Sequence, residues 1–374
     1  MKLQRRSRGV TLVELLVSIS MGLVVAGAMA ALYLASSRSY RQSEALGQLQ
    51  SNARYVFEIM GYDIRMAGNM SCYVPGQSAP ANFVDSYSDS SRWWSNTDRP
   101  LFGIEESADG NAEGDAGFPA DYGDKALRGD SVIVLRAETD DNTGIVENYD
   151  RGQAPISFRD GSGKGFKDSS LLLISNCNSQ AAVFQKTRSG GKNTDPIPHK
   201  LRADSGTSPG NCKSDLTGTA NTPAGSCPPG GSTLDMSGAK LLALSANAYY
   251  LRNSPRRYAS SSQFIPSLFR QTLGTDGDLA STRAEELVSG VTDLQVRYGV
   301  DDDGNGVLDR YVTANDVADW GRVLALRMTI TLETAEDAGA AASSSFTLGN
   351  GSVITDRRLR RSYTATFSLR ERLS

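Results

Sequence analysis

Between Tyr298 and Asp309 the chain reads Tyr298-Gly299-Val300-Asp301-Asp302-Asp303-Gly304-Asn305-Gly306-Val307-Leu308-Asp309. Counted from Asp301, oxygen-bearing side chains fall at positions 1, 3, 5 and 9: Asp301, Asp303, Asn305 and Asp309. That spacing suits a hard cation. Calcium takes about six to eight oxygen ligands, and a loop with donors at alternate positions wraps it when a glycine makes the sharp turn at 6 and a backbone carbonyl points in at 7. Gly306 and Val307 hold those two places. The twelve-position form of such a loop is not completed, because position 12 is Val312 and no glutamate supplies a bidentate ligand. A shorter loop is the form that remains. The same residues also read as a hairpin turn between strands at 291–300 and 307–312, with Gly304-Asn305-Gly306 supplying positive φ. The two readings are compatible, since a metal would pin the turn. Calcium is the only cofactor the sequence suggests.

A second carboxylate stands where carboxylates are costly. From Val10 to Ser37, 28 residues, Glu14 is the only charged side chain. A carboxylate at bilayer depth costs about 2.5–3.5 kcal/mol on insertion scales. Residues 1–9 carry Lys2, Arg5, Arg6 and Arg8 and no acid, which predicts that this end stays in the cytoplasm. As a helix the apolar run is roughly 42 Å long, more than the ~30 Å of a hydrocarbon core. The rest of the chain would then lie beyond the inner membrane. An ordinary secretory signal is one reading, because Ala28-Met29-Ala30 has the small residues of a cleavage site. Against it, Glu14 interrupts what should be a purely apolar segment. Ala31-Leu32-Tyr33-Leu34 also continues into a second helical pattern rather than a loop.

Gly9, Val10, Thr11, Leu12, Val13, Glu14 and Leu15 resemble the class III signal of type IV pilins and pseudopilins. The resemblance implies that a prepilin peptidase cuts between Gly9 and Val10 and methylates the new amine of Val10. Val10 stands where the family usually has phenylalanine. The resemblance also gives Glu14 a partner: in the family this glutamate meets the N-terminal amine of a neighbouring subunit as the filament grows. Within the family the chain most resembles minor pilins of the PilW kind, whose sequences look similar at the aspartate loop too. The implied fold is α+β and pilin-like, a long N-terminal helix with a transmembrane first half packed on an antiparallel sheet domain with long loop insertions.

The four cysteines, Cys72, Cys177, Cys212 and Cys227, allow three pairings. An exported chain meets an oxidising compartment, so disulfides are expected. Cys212–Cys227 would staple a loose stretch of chain, leaving Cys72–Cys177 to tie the end of the helix to the sheet. Zinc is disfavoured: no Cys-x-x-Cys occurs, and the sole histidine, His199, precedes Cys212 by 13 residues. With one histidine no Ser-His-Asp or Cys-His constellation is arguable, and the chain does not read as an enzyme. Gly161-Ser162-Gly163-Lys164-Gly165 lacks the phosphate-loop spacing. Arg128-Gly129-Asp130 sits directly before an apolar run and reads as the lead-in to a strand.

The elements that must position these residues follow from periodicity. Leu46, Leu49, Ala53, Val56, Met60, Ile64 and Ala67 recur at steps of three and four, and no proline precedes Pro75. One helix is therefore predicted from Val10 to Ala67. The boundaries expected are a leader at 1–9, a transmembrane half at 10–35, an amphipathic half at 36–68 and a β-rich domain at 69–374. Leu324 to Leu332 alternates apolar and polar residues, and so does Tyr363 to Leu369. Shorter strands are expected at 132–135, 171–174, 182–185, 246–251 and 291–298. Residues 74–128 and 187–235 are rich in Gly, Ser and Asp or Pro and read as surface loops. Trp93-Trp94 inside the first is expected to pack onto the domain. Loss of residues 1–9 removes four positive charges and leaves 35 basic against 42 acidic, a net charge of −7. That disfavours nucleic-acid binding.

The expected role is a minor pilin in a complex that primes assembly at or near the pilus tip, supporting motility and adhesion. Its partners would be the prepilin peptidase, the inner membrane, and other minor pilins and the major pilin through the N-terminal helix. Two alternatives stand beside it: a type II secretion pseudopilin of the J class, and a membrane-anchored or secreted calcium-binding adhesin.

Overall fold

The computed structural model describes residues 11–70, 80–84, 93–94, 99–105, 129–138, 144–148, 156–159, 166–177, 180–187, 197–201, 210–216, 227–228, 236, 238–259, 262–273, 283–335, 343–349 and 351–369. Gly9, Val10, Cys72 and the 161–165 segment lie outside them.

One helix, α1 (Leu12–Arg65), runs unbroken for 54 residues, about 81 Å at ~1.5 Å per residue. Thr11 caps its start. At its end Gly68 takes the left-handed φ of 78° that stops a helix, and the Gly68 amide donates to the Leu135 carbonyl at 3.0 Å. Residues 12–36 and 38–44 are exposed. Burial begins where the amphipathic pattern does: Leu49, Ala53, Val56, Met60 and Ile64 face the domain. At Gly61 the Phe367 ring lies where a Cβ would stand, so helix and sheet approach closely. By length and composition α1 is the one helix among the described residues able to cross a membrane.

In chain order the strands are β1 (Ala81–Asn82), β2 (Leu101–Ile104), β3 (Ser131–Glu138), β4 (Gly144–Asn148), β5 (Ser157–Phe158), β6 (Leu171–Ser175), β7 (Ala181–Gln185), β8 (Lys240–Arg257), β9 (Phe264–Thr272), β10 (Arg283–Ser289), β11 (Val291–Val300), β12 (Arg310–Val312), β13 (Val323–Glu333), β14 (Ser344–Thr347), β15 (Val353–Asp356) and β16 (Arg360–Ser368). They form a ten-stranded sheet, a four-stranded sheet ordered β12-β11-β13-β16, and a separate β14–β15 hairpin. The 18-residue β8 is the hub of the large sheet. It pairs with β6 and β4 at its start, with β3 along 243–249, and with β9 from Asn247 onward. Pairing is antiparallel throughout except between β1 and β7. The α+β expectation holds, with two principal sheets in place of one.

The two kinds of strand follow from what covers them. In β3, Val132 and Val134 join one apolar cluster while Ile133, Leu135 and Ala137 join another, so both faces are buried and the run is continuous. In β13 only one face meets the core, and the sequence alternates. The first cluster lies between α1, the small sheet and the ends of β3, β8 and β9. The second takes in Trp93 and Trp94, both buried as expected.

Three expectations need correction. The strand expected at 307–312 is formed only at Arg310–Val312, because 301–307 are spent on turns closed by their own side chains. The stretches 74–128 and 187–235 are not simply surface loops. Phe83, Ile197 and Leu216 in them are fully buried on a face of the large sheet where no residue of α1 joins the cluster, and Leu101 is buried in the cluster beneath α1. His199 likewise lies fully buried, edge-on to Phe184 at 5.5 Å between ring centres.

Candidate functional site

Glu14 sits in the first turn of α1 and closes it as a capping box. Its amide donates to Thr11 Oγ1 at 3.3 Å, and its Oε2 accepts from the Thr11 amide and hydroxyl, each at 3.4 Å. The carboxylate therefore points back toward the start of the helix, where the macrodipole also favours negative charge. Both residues are exposed, as is every residue from 11 to 36, so among the described residues no group of the folded domain competes for Glu14.

At the other end of α1 a residue with a structural task escaped the periodicity argument. Asp63 is buried, and its carboxylate accepts from Arg136 Nε at 3.0 Å, Asn247 Nδ2 at 2.7 Å and Tyr249 Oη at 2.5 Å. The three donors come from β3 and β8, so this one acid fastens the helix to the hub of the large sheet. A signal was present: Asp63 is the one acid directly beside the apolar positions Met60 and Ile64.

The aspartate loop joins β11 to β12. Gly304 and Gly306 have φ of 79° and 81°, the left-handed conformation glycine adopts without strain. Asp301 Oδ1 accepts from the Gly304 and Asn305 amides at 2.7 and 3.2 Å, and Oδ2 from the Gly306 amide at 2.8 Å. These bonds, that from Gly306 foremost, hold the Asp301 carboxyl below the usual carboxylate range. Asp303 Oδ1 accepts from the Asn305 amide at 3.1 Å, Asn305 Oδ1 from the Val307 amide at 2.7 Å, and Asp309 Oδ2 from the Asp302 amide at 2.8 Å. Asp302 turns outward to Arg310 at 2.6 Å. The loop is braced from behind, where Arg322 donates to the Asp302 carbonyl at 2.7 Å. The fold thus brings Asp301, Asp303 and Asp309 together, one oxygen of each within 4.8 Å of the others. Asn305 takes part in the turn, and Val307 stands on the exposed rim. The glycine turn expected from the sequence is formed here, with the three carboxylates clustered on it.

Cys212 and Cys227 form a disulfide with Cα atoms 5.9 Å apart. Cys177 is disulfide-bonded as well; Cys72, its expected partner, lies outside the described residues. Asp130 is buried and accepts from the Val296 amide at 2.6 Å, consistent with a lead-in to β3.

Comparison with known proteins places both ends of the chain. Residues 4–30 match the prokaryotic N-terminal methylation motif. Residues 248–371, from β8 through β16 and including the aspartate loop, match the type IV pilus-assembly protein W family. No curated protein and no solved structure matches the chain. A methylation motif opening a long apolar helix, followed by a sheet domain whose C-terminal third matches the W family, is what this chain shares with PilW-like type IV pilins.

Proposed function

We propose that the protein is a minor pilin that joins the complex priming pilus assembly and stays at or near the tip, supporting motility and adhesion. The observation that carries this reading is Glu14: an exposed carboxylate in an apolar helix, bound among the described residues only within its own first turn. Prepilin peptidase cuts after Gly9 and methylates Val10. The new amine then belongs to the residue that precedes Thr11 in the sequence, the cap that Glu14 closes. On assembly Glu14 exchanges its weak cap for the amine of a neighbouring subunit, which compensates a charge that hydrocarbon would otherwise penalise. The basic leader stays cytoplasmic, the helix spans the inner membrane, and residues from about 36 onward lie outside it. Glu14→Ala is expected to leave the mass of the processed N-terminus unchanged and to deplete the protein from sheared pili. Normal incorporation of that variant refutes the role given to Glu14. A deletion strain that keeps its pili but loses exoprotein secretion moves the protein to a type II secretion system.

We propose further that the loop at 301–309 takes calcium. Asp301, Asp303 and Asp309 would supply carboxylate oxygens, Asn305 its amide oxygen and Val307 its carbonyl; the donor set is all oxygen, as calcium prefers. Bound calcium would neutralise three clustered acids and stiffen the β11–β12 turn. Thermal unfolding in excess calcium and in chelator tests this. A rise in Tm with calcium that vanishes in Asp303→Ala supports the site, and superimposable curves end it.

A further inference from the structure

Contacts along α1 show which end of the domain lies nearest the apolar half of the helix. The far end of α1 meets the sheets at Gly61, against the Phe367 ring near the close of β16, and at Asp63, bonded to Asn247 midway along β8. Its nearer stretch, from Arg41 to Asn52, lines a cleft with Ile265, Ser289, Gly290 and residues 333–335. β8 and β13 therefore run down toward the apolar half of α1, and β9, β11 and β16 run up from it. The lower end of the domain is made by the β8–β9 turn, the β10–β11 turn, the end of β13 and the start of β16. Arg41 in that cleft stands four residues past Ser37, where the apolar run stops, a rise of about 6 Å.

This end is basic in a chain that is acidic. Three of its acids are taken: Glu286 by Arg256, and Glu333 and Asp356 by Arg358 and Arg360. Arg257, Arg357 and Arg361 are exposed and have no acidic partner among the described residues. Arg38 and Arg41 are exposed beside them on α1. Against these stand Glu44, exposed on α1, and Glu336 and Asp337, which follow Ala335 in the sequence and lie outside the described residues. The balance is positive, although the chain without its first nine residues has a net charge of −7. Aromatic rings accompany the arginines. The Arg257 guanidinium lies 4.0 Å from the centre of the Phe264 ring, which is 40% exposed. Tyr33 and Tyr40 are exposed where α1 leaves its apolar run. Aromatic rings at the level of the headgroups, with basic residues beside them, mark a membrane interface. Anionic headgroups attract clustered arginines over about a Debye length, ~10 Å at 0.1 M salt.

We propose that this basic end rests on the anionic phospholipid headgroups around the emerging helix, with Arg257, Arg357 and Arg361 on lipid phosphates. The inference rests on the reading of α1 as a membrane span. It gives the unassembled subunit a second hold on the bilayer, released when the helix is drawn into a filament. The test uses the full-length chain in lipid nanodiscs, with a fluorophore on Gln263→Cys in the β8–β9 turn or, as the far control, on Ser368→Cys at the upper end of β16. The discs hold phosphatidylcholine alone or with about one third phosphatidylglycerol, and a headgroup nitroxide lipid as quencher. Quenching at 263 is expected to be about twofold stronger or more with phosphatidylglycerol at about 0.1 M salt, and to fall to the phosphatidylcholine level at about 0.5 M. The triple variant Arg257→Glu, Arg357→Glu, Arg361→Glu should stay at that lower level, and the probe at 368 should stay bright throughout. If the triple variant fails to fold, the lipid and salt comparisons on the chain with its arginines intact decide alone. Equal quenching at 263 with both lipids, no quenching with either, or full quenching in a folded triple variant overturns the headgroup contact and leaves the span standing. A chain that does not co-elute with the discs removes the span, and the proposal with it.

Discussion

Replacing Asp63 by alanine removes an acceptor shared by three donors at the helix–sheet junction. The Asp63 side chain is 4% exposed and that of Arg136 14%, so neither charge is screened as a surface pair would be. Breaking a buried pair by removing one partner costs about 3–5 kcal/mol, because the other charge stays behind without compensation. Here the Tyr249 hydroxyl and the Asn247 amide also lose their acceptor, which places Asp63→Ala toward the upper end. Arg136→Met leaves Asp63 two neutral donors and should cost less, about 1–3 kcal/mol. For a domain of this size the alanine variant lowers Tm by on the order of 10 °C. Thermal unfolding followed by near-ultraviolet circular dichroism in detergent measures both. A loss below about 1 kcal/mol for Asp63→Ala would refute the claim that this acid fastens α1 to the sheet.

Other perturbations follow from single contacts. Burial pushes His199 down to about 4, so between its ordinary value and that one the unfolded chain takes up a proton that the folded protein refuses. Stability is complete above about pH 6.5 and falls by about 3 kcal/mol by pH 4 on this account; His199→Gln should flatten that part of the Tm–pH curve, and parallel curves would count against it. The Tyr298 hydroxyl is buried without a hydrogen-bond partner among the described residues and presses on Gly103. Tyr298→Phe should therefore gain about 1 kcal/mol or leave stability unchanged. Gly103→Ala should destabilise, and Tyr298→Phe should partly rescue it; a chemical-denaturation double-mutant cycle without coupling would disprove the contact. Changing both Cys212 and Cys227 to serine opens a ring of 15 residues and should cost about 3 kcal/mol by chain entropy, seen as a lower denaturation midpoint; an unchanged midpoint contradicts it.

Residues whose environment is set by their near neighbours were the readable ones. The steps from Leu49 to Ile64 and the alternation of Leu326 to Leu332 each record the one face turned to the apolar core. The aspartate loop's turn was legible because its carboxylates, glycines and turn bonds all fall within nine residues. Asp63 was not, because its partners lie 73 to 186 positions away in the chain. β9, β10 and the β14–β15 hairpin were missed, as was the reach of β8 to Arg257. In β8 the segment Arg252–Arg257 carries a proline and three arginines and looks like a turn; it is extended because β9 pairs with it across a register shift. The buried anchors of the 187–235 stretch were hidden by their turn-forming neighbours.

The absence of any break in α1 has a geometric consequence. Glu14 and the apolar stripe from Leu49 to Ile64 belong to one helix, so the azimuth of the domain about the helix axis is fixed relative to the side on which Glu14 projects. Inserting one residue in the bare stretch between Ser36 and Glu44 would swing the domain by about 100°, and inserting seven would return it to within about 20° while raising it by about 10 Å. The exposed helix is therefore a phase-setting shaft, in which every residue counts as an angle as well as a length.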